Sequence, residues 1–315
     1  DTAGVFTSTA GLVIDSLTGE IDLSNSIPGN YEVTYTPPSN WQQIGQDIDG
    51  EASGDKFGFS TSFSNDGNTI AIGGYQNDGV NGVNSGHVRI FQNNNGNWTQ
   101  LGEDIDGENA NDASGFSLNL NGNGNRVIIG AKNNAGNGPL SGHARIFEWN
   151  GNSWYQIGND IDGEASHDGS GVSVAMNDLG NIVAIGAFEN DGSGPDAGHV
   201  RVYNWDGVSW SKLGDDIDGE QPFNDFGYSV DFNASGTRLA AGAPYNQGAG
   251  GVNSGHVRIY DWDGNNWIQI GQDIDGEAIN DECGYSVSLN NLGNRVAIGS
   301  RFNDGVNGTN SGHVR

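Results

Sequence analysis

Trp41-Gln-Gln-Ile-Gly-Gln-Asp-Ile-Asp-Gly-Glu51 is written five times in this chain with small changes. It returns as Trp98-Thr-Gln-Leu-Gly-Glu-Asp-Ile-Asp-Gly-Glu108, and again from Trp154 to Glu164, Trp210 to Glu220 and Trp267 to Glu277. The tryptophans step by 57, 56, 56 and 57 residues. A period that regular means an array of one structural unit, so each residue is read first by its place in the repeat.

Each unit holds four short strand candidates. In the first, Phe57-Gly-Phe-Ser-Thr-Ser-Phe63 alternates, Asp66-Gly67 turns, and Thr69-Ile-Ala-Ile-Gly73 is an apolar run. A polar loop, Asn77 to Ser85, leads to Gly86-His-Val-Arg-Ile-Phe91, and Asn93-Asn-Asn-Gly96 turns the chain into a Trp98 strand. Four antiparallel strands in under 60 residues, repeated in tandem, predict an all-β fold of β-propeller blades. One such unit has too few apolar residues to stand alone, so neighbours must stack. Counted this way the chain opens with an unpartnered outer strand and ends without one, so Trp41–Ile48 is expected to complete the last blade and close the array.

The bulk numbers narrow the function. The 315 residues carry 40 acids against 12 Lys and Arg, a formal charge of −28. Such a surface repels phosphate backbones and disfavours nucleic acid as a partner. The 53 glycines, with Asn and Asp clusters between apolar runs, fit a turn-rich β chain. No apolar run is long enough to span a membrane, and the single cysteine, Cys283, allows no intrachain disulfide.

Residues 1–37 stand outside the repeat, and 38–315 hold it. Gly11–Asp15, Glu20–Leu23 and Tyr31–Tyr35 read as short strands, and Pro37-Pro38 as a stiff linker. The stretch Ser8-Thr-Ala-Gly-Leu-Val-Ile-Asp-Ser-Leu-Thr-Gly-Glu-Ile-Asp-Leu-Ser24, with Pro28–Thr36, resembles the end of the immunoglobulin-like repeats of large Bacteroidetes surface adhesins. The repeat region resembles FG-GAP repeats, the units of integrin-type propellers. Its first motif stands at Phe57-Gly58, Ser114-Gly115, Ser170-Gly171, Phe226-Gly227 and Cys283-Gly284. Its second stands at Gly73-Gly74, Gly130-Ala131, Gly186-Ala187, Gly242-Ala243 and Gly299-Ser300. The resemblance implies an inner strand at the first motif, and either a five-bladed ring or part of a seven-bladed one.

Calcium is the cofactor that the resemblance brings to mind, although none is required. The turns where that family holds it, such as Ser62 to Gly67, lack paired carboxylates here. The alternative ligands are the carboxylates of the repeated phrase: Asp47, Asp49 and Glu51; Asp104, Asp106 and Glu108; Asp160, Asp162 and Glu164; Asp216, Asp218 and Glu220; Asp273, Asp275 and Glu277. The plainer reading is that they cap turns. Five histidines precede arginines by two residues: His87 and Arg89, His143 and Arg145, His199 and Arg201, His256 and Arg258, His313 and Arg315. Residues two apart on a strand share a face, so each pair is expected to brace its own blade against an acid of the phrase. Equivalent histidines lie too far apart to share one metal.

No nucleophile triad, phosphate loop or zinc-protease motif is present. Departures from the repeat are small: His167, Pro195-Asp196, Pro222-Phe223, Pro244-Tyr245 and Cys283. The expectation is therefore a non-catalytic, extracellular adhesion or ligand-binding module at the cell surface. Its partner would be a glycan, a surface or a protein, and further domains would belong to the same chain. A carbohydrate-active enzyme on a propeller scaffold, or a spacer in a filament, are the alternatives.

Overall fold

A computed structural model describes residues 5–16, 18–36, 42–305 and 307–315. The chain divides into two compact units, Asp1–Gln46 and Asp47–Arg315. In the first, Val5–Ser8 pairs antiparallel with Val33–Thr36, and the Phe6 and Tyr35 rings meet at 4.8 Å. The expected strands over Gly11–Asp15 and Glu20–Leu23 shrink to one bridge between Ile14 and Ile21. Eight or so residues around a glycine turn, exposed on both faces, cannot hold a longer ladder.

The second unit is a five-bladed β-propeller of small antiparallel sheets. In the first blade the order from the inside outward is Phe57–Phe63, Thr69–Gly74, His87–Asn94 and Asn97–Gln100. Blades two to four repeat this order from Ser117–Leu120, Ser170–Met176 and Ser229–Phe232. The fifth has three strands, Cys283–Leu289, Val296–Ser300 and His313–Val314. One element was not foreseen. Ile105–Asp106 inside the repeated phrase, like its counterparts Ile161–Asp162, Ile217–Asp218 and Ile274–Asp275, pairs with the third strand beyond the outer one.

The expected closing strand does not form. Trp41 lies outside the described residues, none of residues 42–48 is in a strand, and His313–Val314 pairs only with Val296–Ser300 among the described strands.

What joins one blade to the next is backbone. In blades two to five the glycine at the head of the inner strand, such as Gly115 with φ +82°, points its carbonyl at the preceding blade. There it meets a second-strand glycine, Gly73, whose missing side chain leaves the space. Gly130 stands against Gly171, Gly186 against Gly227 and Gly242 against Gly284 in the same way. A serine hydroxyl donates to each of these carbonyls: Ser60 to Gly115 O at 2.7 Å, Ser117 to Gly171 O at 2.8 Å, and Ser173 and Ser229 to their counterparts at 2.7 Å. The two glycine motifs are thus two halves of one contact.

Two further links run along the array. The Asn/Gly turns after the inner strands donate in series, Asn65 N to Gly122 O, Gly122 N to Asp178 O, Asp178 N to Ala234 O and Ala234 N to Asn291 O. These turns therefore serve as an inter-blade chain. On the outside, the Trp154, Trp210 and Trp267 indoles donate to Leu101 O, Ile157 O and Leu213 O of the preceding phrase at 2.8–3.0 Å. Between these belts the second strands are buried on both faces, with Val127, Val183 and Leu239 at 0% exposure.

Removing the glycine fit should show its weight. In Gly186→Ala the new methyl falls inside contact distance of Gly227 O, a backbone atom that cannot rotate away, for an expected loss of about 2–4 kcal/mol. Gly299 of the last blade faces only the Ser286 side chain, so Gly299→Ala should cost under about 1 kcal/mol. Denaturant midpoints of the two variants measure the difference.

A second check concerns Asp231, whose carboxylate accepts the Leu289 N–H of the next blade at 2.7 Å and the Phe232 N–H at 2.9 Å. Ser62 and Asn119 do the same work in earlier blades. Burial pushes the Asp231 carboxyl up to about 6. The folded state then binds more protons than the unfolded one between about pH 4 and 6, so this group's stabilisation is present at low pH and lost as pH rises through 6. Asp231→Asn should flatten this dependence, so that Tm of the variant changes less between pH 4.5 and 7.5 than that of the parent in thermal melts.

Candidate functional site

Two constellations of ionisable groups emerge, one repeated and one not. The repeated one lies where the phrase enters and leaves a blade. The third strand opens with Gly-His, and His87, His143, His199 and His256 are buried, with 0–3% exposure. The arginine two residues on reaches the phrase before its blade and, in blades one, three and four, the phrase after it. Arg258 holds Asp273 through Nε and Nη2 at 2.9 Å each and also contacts Glu220. Arg201 does the same with Asp216, at 2.8 and 3.3 Å, and with Glu164. Arg145 donates to Asp106 O at 2.7 Å and lies 3.7 Å from Glu108. Arg89 reaches Asp49 O at 3.2 Å and lies 3.6 Å from Asp104, while Arg315 contacts Asp275 O and Glu277.

The pairs therefore do more than brace one blade. Each arginine ties the phrase before its blade to the blade, and in blades one, three and four to the phrase after it as well. The three carboxylates of one phrase are correspondingly divided. Asp104 faces His87 and Glu108 faces His143, while Asp106 sits opposite His87 in the ladder. A cage formed by Asp-x-Asp-x-Glu of one phrase is not assembled. Asp47 begins this unit, Asp160 and Asp162 flank His143 at 3.9 Å, and Asp218 and Asp275 lie opposite His199 and His256. His313 is half-buried in the short last strand. Burial, reinforced by the neighbouring arginine, lowers His143 and His199 to about 4, so both rings are neutral at physiological pH.

Sequence reading missed a third group here. Asp55, Asp112, Asp168 and Asp281 are buried carboxylates at one repeat position. Asp168 accepts the Glu164 and Ala165 N–H groups at 2.9 Å and the Asn190 amide at 3.2 Å. They are structural turn anchors.

The second constellation breaks the symmetry. The residue before each inner-strand motif is left-handed: Lys56, Ala113, Gly169, Asp225 and Glu282, with φ between 52° and 60°. Beside it stand the residue after the bulged glycine (Tyr228, Tyr285) and the two residues after the second strand (Lys132, Glu189, Tyr245, Arg301). In blades two to five these positions hold an interacting charged and aromatic group. Glu282 pairs with Arg301 at 2.6 Å, and the guanidinium lies 4.1 Å over the Tyr285 ring. Tyr285 stacks on Tyr228 at 5.0 Å, and Tyr228 meets Phe188 edge-on at 5.9 Å. Burial, then the charges of Glu189 and Asp196, push the Asp225 carboxyl up to about 7. Lys132 is half-buried, 4.9 Å over the Phe116 ring, with its ammonium held down by burial and up by Glu189.

Each of these residues is unremarkable within its own repeat. The signal available in the sequence was the column formed by equivalent positions across five repeats, which is variable and polar where the rest is constant.

The clamps can be weighed by mutation. Arg258→Ala leaves Asp273 and Glu220 without their counter-charge beside a buried imidazole, for an expected loss of about 2–4 kcal/mol. Arg89→Ala removes longer contacts and should cost about half as much or less. Chemical denaturation compares the two.

No family model matches this chain, and no curated protein does. Among solved structures it is similar to a periplasmic gluconolactonase of Pseudomonas aeruginosa, with TM-score 0.53 and 16% identity over 76% of this chain and 64% of that one. It is also similar to a putative 6-phosphogluconolactonase from Bacteroides uniformis, with TM-score 0.50 and 12% identity over 82% of this chain and 71% of that one. The chain thus spans under two thirds of the first protein's length. At such identities the likeness is one of fold. The expectation of a non-catalytic adhesion module is corrected on this point: both matched propellers are named as enzymes, which sits better with the alternative of an enzyme on a propeller scaffold.

Proposed function

We propose that this chain is a hydrolase of carbohydrate-derived lactones or related esters, acting at the unsymmetrical cluster of blades two to five. One observation carries the reading: around the starts of the inner strands and the ends of the second strands, Glu189, Asp225, Tyr228, Glu282, Tyr285 and Arg301 form a charged and aromatic cluster with no copy elsewhere among the described residues. Blade packing alone needs no such cluster. The fold shared with a protein named as a gluconolactonase and another named as a putative 6-phosphogluconolactonase supports the substrate class.

The chemistry follows from the groups present. Lactone opening needs a base for the attacking water, charge stabilisation for the carbonyl oxygen, and a proton for the departing ring oxygen. Asp225, titrating near neutrality, takes the water proton and returns it to the ring oxygen. Arg301 and the Tyr228 and Tyr285 hydroxyls are the donors for the oxyanion. The Tyr285 and Phe302 rings around Arg301 offer an apolar wall for a sugar ring. Arg301 also offsets the acidic surface where an acid product forms. We place the protein outside the cytoplasm, in keeping with the periplasmic neighbour.

The test is a pH-stat assay with glucono-δ-lactone and a panel of other sugar lactones and acetyl esters. Turnover above the spontaneous rate is expected, with kcat/KM rising through about pH 7 as Asp225 ionises. Asp225→Asn should lower kcat by about 10²-fold or more and abolish that limb. Hydrolysis no faster than the spontaneous rate across the panel, in a folded sample, would overturn the proposal.

A further inference from the structure

The repeated clusters carry an inference independent of the lactonase reading. Four times, one imidazole and two carboxylates from different phrases converge: Glu51, His87 and Asp104; Glu108, His143 and Asp160; Glu164, His199 and Asp216; Glu220, His256 and Asp273. In each, one oxygen or nitrogen per residue lies within 4.8 Å of the others. An acidic cluster alone would mean nothing. Here, however, the Nδ1 atoms of His87, His143 and His256 are fully buried, face the carboxylates, and have no hydrogen-bond partner. Their distances to those oxygens, 3.5–4.0 Å, are too long for a hydrogen bond. They leave a gap that an ion with bonds of about 2.1 Å can bridge with small side-chain movements.

The carboxylates are already oriented. Glu108 gives Oε1 to Arg145 and turns Oε2 toward His143, and Glu164 divides its oxygens between Arg201 and His199 in the same manner. Asp104 presents Oδ1 to Arg89 and Oδ2 to His87. Each arginine thereby acts as an outer partner that fixes a ligand, a common arrangement around protein metals. Charge agrees. Beside a neutral imidazole, the carboxylates of Glu108, Asp160 and Asp162 outnumber the one guanidinium of Arg145, a surplus that a cation would offset.

We propose that each of these four seams binds one divalent transition ion of the zinc type through His Nδ1, the Glu of the preceding phrase and the first Asp of the following phrase, so that metal locks successive connections to their blade. The imidazole favours such an ion over calcium, which takes oxygen ligands.

Titration of the metal-stripped chain with Zn²⁺, followed by calorimetry and by Co²⁺ visible absorption, tests this. About four ions per chain are expected, with a rise in Tm on loading and with Ca²⁺ unable to displace them. His143→Gln should lower the count by one, and Glu108→Gln provides a second variant should that one fail to fold. His167→Gln, at an exposed loop position, should leave the count at four. Zinc binding absent below millimolar concentration, or a count unchanged in both His143→Gln and Glu108→Gln, would overturn the proposal, whether or not the chain hydrolyses lactones.

Discussion

The contact between two glycines of successive blades sets the geometry of everything else in this protein. A carbonyl oxygen of a bulged inner strand occupies the space where the neighbouring second strand would carry a side chain. Because both partners are backbone, the separation between blades is fixed by peptide geometry and tolerates no adjustment through rotamers. Serine hydroxyls capping the same carbonyls keep them satisfied away from water. Everything sited near that contact inherits its precision, including the left-handed residue that precedes each bulge.

The architecture was legible because repetition multiplies a weak signal. Alternation in Phe57–Phe63 alone is ambiguous, but the same pattern before a glycine turn in five successive units is not. The parts that escaped are those repetition hides or does not reach. Ile105–Asp106 is too short to read as a strand, since two residues show no period, and its pairing with His87–Asn94 is set by the ladder already there. Val5–Ser8 escaped because it occurs once, with a partner 25 residues away. Closure through Trp41–Ile48 rested on the argument that free edges are avoided, yet a short last strand such as His313–Val314 exposes little edge to avoid.

Site residues were legible in inverse proportion to their interest. Arginine two residues after histidine predicts a shared face, and the structure places both at the phrase. That the clamp joins the connections on either side of a blade was not readable, because the phrase looks like one unit in sequence while the structure divides its carboxylates between neighbours. Glu108 belongs with His143 and Asp104 with His87. The unsymmetrical cluster was harder still. A search for an active site within one stretch finds Asp225 beside a repeat motif and Arg301 seventy-six residues later, with nothing to connect them. Only the curvature of the array brings equivalent offsets together.

This separation suggests how such a scaffold divides its labour. Most side chains that contact the next blade recur from copy to copy as glycine, serine, tryptophan and the histidine–arginine–acid clamp, whereas the acceptor for the next inner strand varies between Ser62, Asn119 and Asp231. At the start of the inner strand it is the backbone that is held, with the N–H groups of Ala113, Gly169, Asp225 and Glu282 donating to Asn84, Leu140, Asp196 and Asn253 O of the preceding blade, so the side chains are free to differ. A left-handed residue there is strained unless it is glycine, yet only Gly169 is glycine, while Asp225 and Glu282 hold φ of 53° and 52°. Of these two carboxylates one is paired to Arg301 and the other is held near neutrality by burial and by Glu189, which is the asymmetry on which the proposed reactive centre rests.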